Sequence, residues 1–104
     1  MREIQVNVAK DFSRFPAGRY RNDGPYSGEA FRDLMVNHLK NEQETLTIEL
    51  DGALGYGSSF LEEAFGGLVR LGYQTADLLR RITLRSADDL LIREIRSYIQ
   101  RAAS

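Results

Sequence analysis

Cysteine and tryptophan are absent from this 104-residue chain, and histidine occurs once. Without thiols, no disulfide and no thiolate metal site can form, which fits a reducing cytosol and makes cytoplasmic localisation the expectation. His38 alone cannot build a multi-histidine metal site, and no calcium-loop spacing of carboxylates is present. No apolar run approaches the length of a bilayer span, and MREIQVNVAKDF lacks the apolar centre of a secretory signal. A dominant charge sign is lacking too. Lys+Arg total 14 against 15 for Asp+Glu, a net charge of −1, so no excess of positive charge points to nucleic acid or an anionic membrane. Repeats, linkers and low-complexity tracts are missing as well. The chain therefore reads as one domain over residues 1–104, long enough to bury a single core.

What the chain does have is alternation. In Glu3–Val8, Ile4, Val6 and Val8 fall on one side and Glu3, Gln5 and Asn7 on the other, the period of a half-buried strand. Thr45–Leu50 repeats this with Leu46, Ile48 and Leu50 inward, and Ile82 and Leu84 mark a third strand between Arg81, Thr83 and Arg85. Helical spacing joins Phe31, Leu34, Met35, His38 and Leu39 behind Ser27 as N-cap. It also joins Phe60, Leu61, Ala64, Phe65, Leu68 and Val69, with Gly72 as the stop. One helical turn is expected over Thr75–Arg80. Ser86 is expected to cap a last helix whose buried face is Leu91, Ile92, Ile95, Tyr98, Ile99 and Ala102.

A parallel sheet covered on both faces would show continuous apolar runs. Alternating strands predict instead an α/β two-layer sandwich, with helices on one face of a mostly parallel or mixed sheet. The wet face should carry Glu3 and Glu49 opposite Arg81 and Arg85. Lys10–Gly28 holds both prolines, Pro16 and Pro25. It reads as a long loop ordered by Phe12, Phe15, Tyr20 and Tyr26, with a short strand near Arg19–Arg21.

The segment TLTIELDGALGYGSSFLEEAFGGLV, Thr45–Val69, is the most informative. It predicts a strand, a glycine-rich turn and an amphipathic helix opening with two serines. Ser58, Ser59, Gly57, Asp51 and Tyr56 thus gather at the carboxyl end of a strand, where open α/β sheets bind their ligands. The spacing of Gly52, Gly55 and Gly57 is neither GxxxxGK[ST] nor GxGxxG. GYGSS is not G-x-S-x-G, and the only histidine lies on another helix, so no hydrolase nucleophile is indicated. Ser59 with Glu62 matches a capping box, and Glu62 and Glu63 otherwise read as capping and solvated surface. A phosphoryl group on Ser58 would add about −1.5 to −2 charge at a helix N-terminus.

A second candidate is the arginine–tyrosine loop around GRYRNDGPYSG, with Arg14, Arg19, Tyr20, Arg21, Asp23, Tyr26, Ser27 and Arg32. Planar guanidinium groups suit paired recognition of carboxylate or phosphate. The same arginines could equally pair internally with Asp11, Asp23, Glu29 or Asp33. No acid–base pair, nucleophile–base pair or metal cage is assembled anywhere, so neither an enzyme nor a cofactor is expected.

ELDGALGYGSSFLEEAFGGLV resembles the strand–loop–helix of STAS domains, the fold of anti-sigma-factor antagonists. GRYRNDGPYSGEAFRD together with GYGSSFLEEAFGGL resembles, more closely, the STAS-like family of unknown function, over roughly residues 1–100. The resemblance implies helices largely on one side of a sheet and a regulatory binding module that is not an enzyme. In the antagonists, the serine opening the helix after the central strand is phosphorylated by a partner of the histidine-kinase-like ATPase fold, and phosphorylation releases that partner. By position Ser58 falls on that serine and Ser59 on the next residue, while Gly57 stands where an aspartate is usual. STAS-like members can occur joined to such ATPase domains, which implies a regulatory protein of this type as partner. Two other readings stay open. One is a small-molecule or anion sensor using the Gly52–Ser59 turn with Arg19 or Arg21. The other is a homodimer formed through free sheet edges.

Overall fold

A computed structural model describes residues 1–103. Strands β1 (Arg2–Asn7), β2 (Glu44–Glu49) and β3 (Ile82–Arg85) form a parallel three-stranded sheet in the order β1-β2-β3. The register sets Ile4 beside Leu46, Val6 beside Ile48, and Ile48 beside Leu84. Strands added in one direction through right-handed crossovers place both connections on the same face. That face is buried through Val6, Leu46, Ile48, Ile82 and Leu84, whereas Glu3, Gln5, Thr83 and Arg85 on the other are exposed. The one-sided α/β sandwich expected from alternation is therefore the observed one, with an all-parallel sheet.

Helix α1 (Gly28–Leu39) links β1 to β2 and buries Phe31, Met35 and Leu39. Ser27 caps it, its hydroxyl oxygen accepting from the Ala30 N–H at 3.2 Å. The second connection begins as α2 (Ser58–Leu61), widens into a π-helical segment (Glu62–Gly66), and continues as α3 (Gly67–Arg70) with helical dihedrals throughout. It ends at Gly72, where φ is 111° and the following Tyr73 N–H donates to Leu68 O at 3.1 Å. That positive φ is the reason a glycine stands there. Helix α4 (Thr75–Arg81) is two turns rather than one, and α5 (Asp89–Ala102) closes the layer over Ile95 and Ile99.

Local chemistry overrules the expected pattern in several places. Val8 leaves the strand to begin a π-helical turn (Val8–Phe12), because Asn7 Oδ1 accepts from Lys10 N–H at 3.1 Å and Asp11 Oδ2 accepts from Asn7 N–H at 2.7 Å. No strand forms at Arg19–Arg21. Asp23 Oδ2 takes the N–H groups of Arg19 and Tyr20 at 3.2 and 2.9 Å, and a 3₁₀ turn (Arg21–Asp23) results. Asp88, not Ser86, caps α5, accepting from Leu90 and Leu91 N–H at 3.0 and 3.3 Å. Of the four loop aromatics only Phe12 is substantially packed, meeting Phe31 edge-on at 5.1 Å and Tyr26 at 5.7 Å, while Phe15, Tyr20 and Tyr26 are exposed, so the loop is held mainly by its polar contacts.

Arg81 is also not on the wet face. It is 4 % exposed and donates to Glu44 O at 2.8 Å and Asn41 O at 2.8 Å, closing the turn between α1 and β2. Beside it the buried Glu44 carboxylate is held by His38 Nδ1 at 2.9 Å, by Arg2 and by Asn41 Nδ2 at 3.0 Å. His38 and then Arg2 pull its pKa below the ordinary glutamate value of 4.5. A carboxylate depressed in the folded state stabilises fully above the unfolded value and loses that contribution as pH falls through the folded one. Melting temperature is therefore expected to drop below about pH 4.5, and the drop should be shallower in Glu44→Gln. A melting temperature unchanged across the carboxylate range, or an identical drop in the variant, would contradict this assignment.

Candidate functional site

The chain leaves β2 through buried Leu50, and the next residues are pinned to their neighbours one by one. Asp51 accepts from Ser86 Oγ at 2.8 Å and from Ala87 N–H at 3.0 Å, joining the loop to the end of β3. Tyr56 donates its hydroxyl to Leu50 O at 2.6 Å and lays its ring 6.0 Å from Phe60. Burial, reinforced by the negative charges of Asp51 and Glu49, pushes the Tyr56 phenol well above its ordinary pKa, so it stays neutral. Leu54 N–H donates to Arg14 O at 2.9 Å, which fastens the Lys10–Gly28 loop against the same corner.

Gly57 is the N-cap of α2, with φ −71° and ψ 152° and open space where a Cβ would point. Ser58 and Ser59 are therefore the first helical residues. Both are exposed, and neither hydroxyl hydrogen-bonds within the described chain. The capping box expected between Ser59 and Glu62 does not form, because the helix begins before Ser59. Glu62 instead receives Arg19 Nη1 at 2.6 Å and Arg70 at 2.7 and 3.0 Å, and Arg70 first, then Arg19, lowers its pKa.

Glu63 corrects the surface reading most sharply. It is buried, and its carboxylate collects Arg32 Nη1 at 2.9 Å, Arg70 Nη2 at 3.2 Å and Arg19 Nη1 at 3.3 Å. Arg21 is spent on Asp33 at 2.8 Å, and Arg32 also reaches Asp33. Among the described residues, internal pairing is observed for Arg19, Arg21 and Arg32, and not for Arg14. The acids are partly those expected, Asp33 and Glu29, and partly the unexpected Glu62 and Glu63. Ser27 is fully buried under α1 and Asp23 is consumed by its own turn. Arg14, Phe15, Tyr20 and Tyr26 are exposed, Arg14 without an ion pair among the described residues, and Arg21 stays exposed beside Asp33.

Between the β2–α2 loop and the start of α5 lies a cleft of about 360 Å³, bounded by Asp51, Gly55, Tyr56, Asp88, Leu90 and Glu94. No lysine, arginine or histidine lines it, so its charge disfavours an anion. Asp88 and Glu94 were not singled out in the sequence. The only hint was that Asp88 stands between a strand end and a helix start. No grouping of three or more His, Asp or Glu side chains able to hold a metal occurs among the described residues, and no described helix is long and apolar enough to cross a membrane.

Comparison with known families agrees with this architecture. The family model described as a STAS-like domain of unknown function matches residues 27–90, which run from the α1 cap through the Ser58 corner to the start of α5. No curated protein and no solved structure matches the chain significantly.

Proposed function

The chain belongs to the STAS-like family of unknown function, and from that membership we propose that it is a regulatory protein-binding module, without catalysis, that offers the Ser58 corner to a partner protein. The observation that carries the reading is the state of Ser58 and Ser59: exposed, unengaged, and fixed on the first turn of a helix at the carboxyl end of the central strand. The corner is rigidly framed by Asp51, Tyr56 and the Leu54–Arg14 bond. Exposed Phe15 and Leu54 stand beside it, giving a docking partner apolar surface to cover.

In this reading Ser58 is the phosphoacceptor and a histidine-kinase-like ATPase is the partner that modifies it. A phosphoryl group there gains from the helix N-terminus, so the fold tolerates it. A partner covering Phe15 and Leu54 would have to desolvate a dianion, so the complex weakens. Gly57 has room for a side chain, so packing does not exclude the aspartate usual in the antagonists. The anion-sensor alternative has less behind it, since Arg19 and Arg21 carry internal acid partners and no cationic side chain lines the adjoining cleft.

The test is affinity capture from lysate of the source cells with the unaltered chain, Ser58→Asp and Ser58→Ala. One discrete partner should be retained by the unaltered and alanine chains and lost by the aspartate chain, and phosphopeptide mapping after incubation with that partner and ATP should place phosphate on Ser58. Equal retention by all three chains would remove the switch.

A further inference from the structure

We infer that the exposed face of α5 is a self-association surface on which a second copy of this chain docks antiparallel. Leu90, in the first turn of that helix, is 71 % exposed. Arg93 and Arg96 come next on the solvent side, and among the described residues no carboxylate lies within 4.0 Å of either. Arg19, Arg21, Arg32 and Arg70 each hold at least one acid, whereas Arg93 and Arg96 share the state of Arg14, Arg85 and Arg101, unpaired among the described residues. Asp89 is exposed and accepts no hydrogen bond from any side chain. On the exposed stripe Asp89 stands at the start and Arg93 and Arg96 after it, while Glu94, between the two arginines in sequence, turns to the Tyr98 hydroxyl and the cleft beside Tyr56.

That order selects the occupant. Asp89 and Arg96 are seven residues apart, close to two helical turns, and so share one stripe. A two-fold axis crossing the stripe between them places Asp89 of each copy opposite Arg96 of the other, giving two reciprocal pairs from one patch. Leu90 of each copy then lies against the aliphatic stems of Arg93 and Arg96 of the other. A parallel arrangement would set aspartate against aspartate. A nucleic acid would meet Asp88 and Asp89 as well as the arginines, so the mixed face suits a copy of itself better than a polyanion. One helix face covers less than a standard stable interface, so association should depend on concentration and weaken with salt. None of this rests on phosphorylation of Ser58.

Sedimentation equilibrium of the full chain over a concentration series, at low and high salt, tests it. The mass should rise from monomer toward dimer with concentration, less steeply at high salt. Asp89→Arg and Arg96→Glu should each weaken self-association about tenfold or more, with circular dichroism unchanged. An equimolar mixture of the two variants should recover it, because each then meets the opposite charge. A chain that stays monomeric throughout, a dimer indifferent to both reversals, or a mixture that fails to recover overturns the proposal.

Discussion

Replacing Gly28 by alanine is expected to lower stability by about 2–3 kcal/mol, near the upper end for overpacking a core. Gly28 opens α1, directly after the Ser27 cap, and its own N–H donates to Gly18 O at 2.9 Å. A Cβ there would stand 2.4 Å from Phe60 O and 3.0 Å from Glu63 Cβ. The first of these is main chain, in the first turn of α2, and cannot rotate away as a side chain would. The two helix starts would have to separate, loosening Phe31 and Phe60, whose rings lie 6.1 Å apart and are both buried. For a domain of this size, that loss should lower the melting temperature by roughly 10–20 °C. Gly57→Ala is the matched control: its Cβ meets nothing within 4 Å and its φ is −71°, so it should change stability little. Urea denaturation of the two variants beside the unaltered chain settles the matter. If Gly28→Ala unfolds at the same urea concentration as Gly57→Ala, then α1 and α2 are not in the close contact described.

The contrast between these glycines shows which parts of the fold were legible in the sequence. Strands announced themselves because helices cover only one sheet face, so apolar residues kept period two in Ile4–Val6 and Leu46–Ile48–Leu50, and the buried position on the other face of β2 is the polar Thr47. Ser27 and Gly72 could be read because a cap and a stop act within a few residues of themselves. Gly28 could not be read, since its requirement comes from Phe60, far along the chain. The same holds for Asp88 over Ser86 at the start of α5: both are competent caps, but Ser86 is tied to Asp51 across the fold and its oxygen accepts from Asp88 N–H at 3.0 Å, one turn before the helix begins. The π-helical segment Glu62–Gly66 was invisible for another reason. An i→i+5 turn accommodates an extra residue and shifts the helical phase of the residues beyond it. Glu62 and Glu63 therefore face neighbours that an α-helical wheel does not give them. The placement of Ser58 at a helix start behind β2 was legible because strand end, glycine turn and helix start are contiguous in sequence. The ion cluster that braces the loop beside it was not, because Arg19, Arg32, Glu63 and Arg70 come from three segments.

That cluster carries the second large expected effect. Glu63→Ala should cost about 2–3 kcal/mol, while Glu62→Gln should cost about 1 kcal/mol or less. The two residues are adjacent and share Arg19 and Arg70, but the Glu63 side chain is 6 % exposed and that of Glu62 is 25 %. Deleting a buried carboxylate strands the guanidinium groups gathered on it, and breaking such a pair costs several kcal/mol when both ends are sealed from water. Here Arg19 and Arg70 keep side-chain exposures of 30 % and 45 % and can rehydrate, whereas Arg32, at 18 %, recovers least. The expected cost is therefore below that of a fully sealed pair. It should be coupled mainly to Arg32, so that Arg32→Ala adds little once Glu63 is gone. The loss should also reach function. Arg19 ties the Lys10–Gly28 loop to the helix that carries Ser58, so amide hydrogens of residues 17–29 should exchange faster in Glu63→Ala than in Glu62→Gln. Equal destabilisation by the two substitutions, or additive losses for Glu63→Ala and Arg32→Ala, would show that the buried carboxylate does not organise this junction.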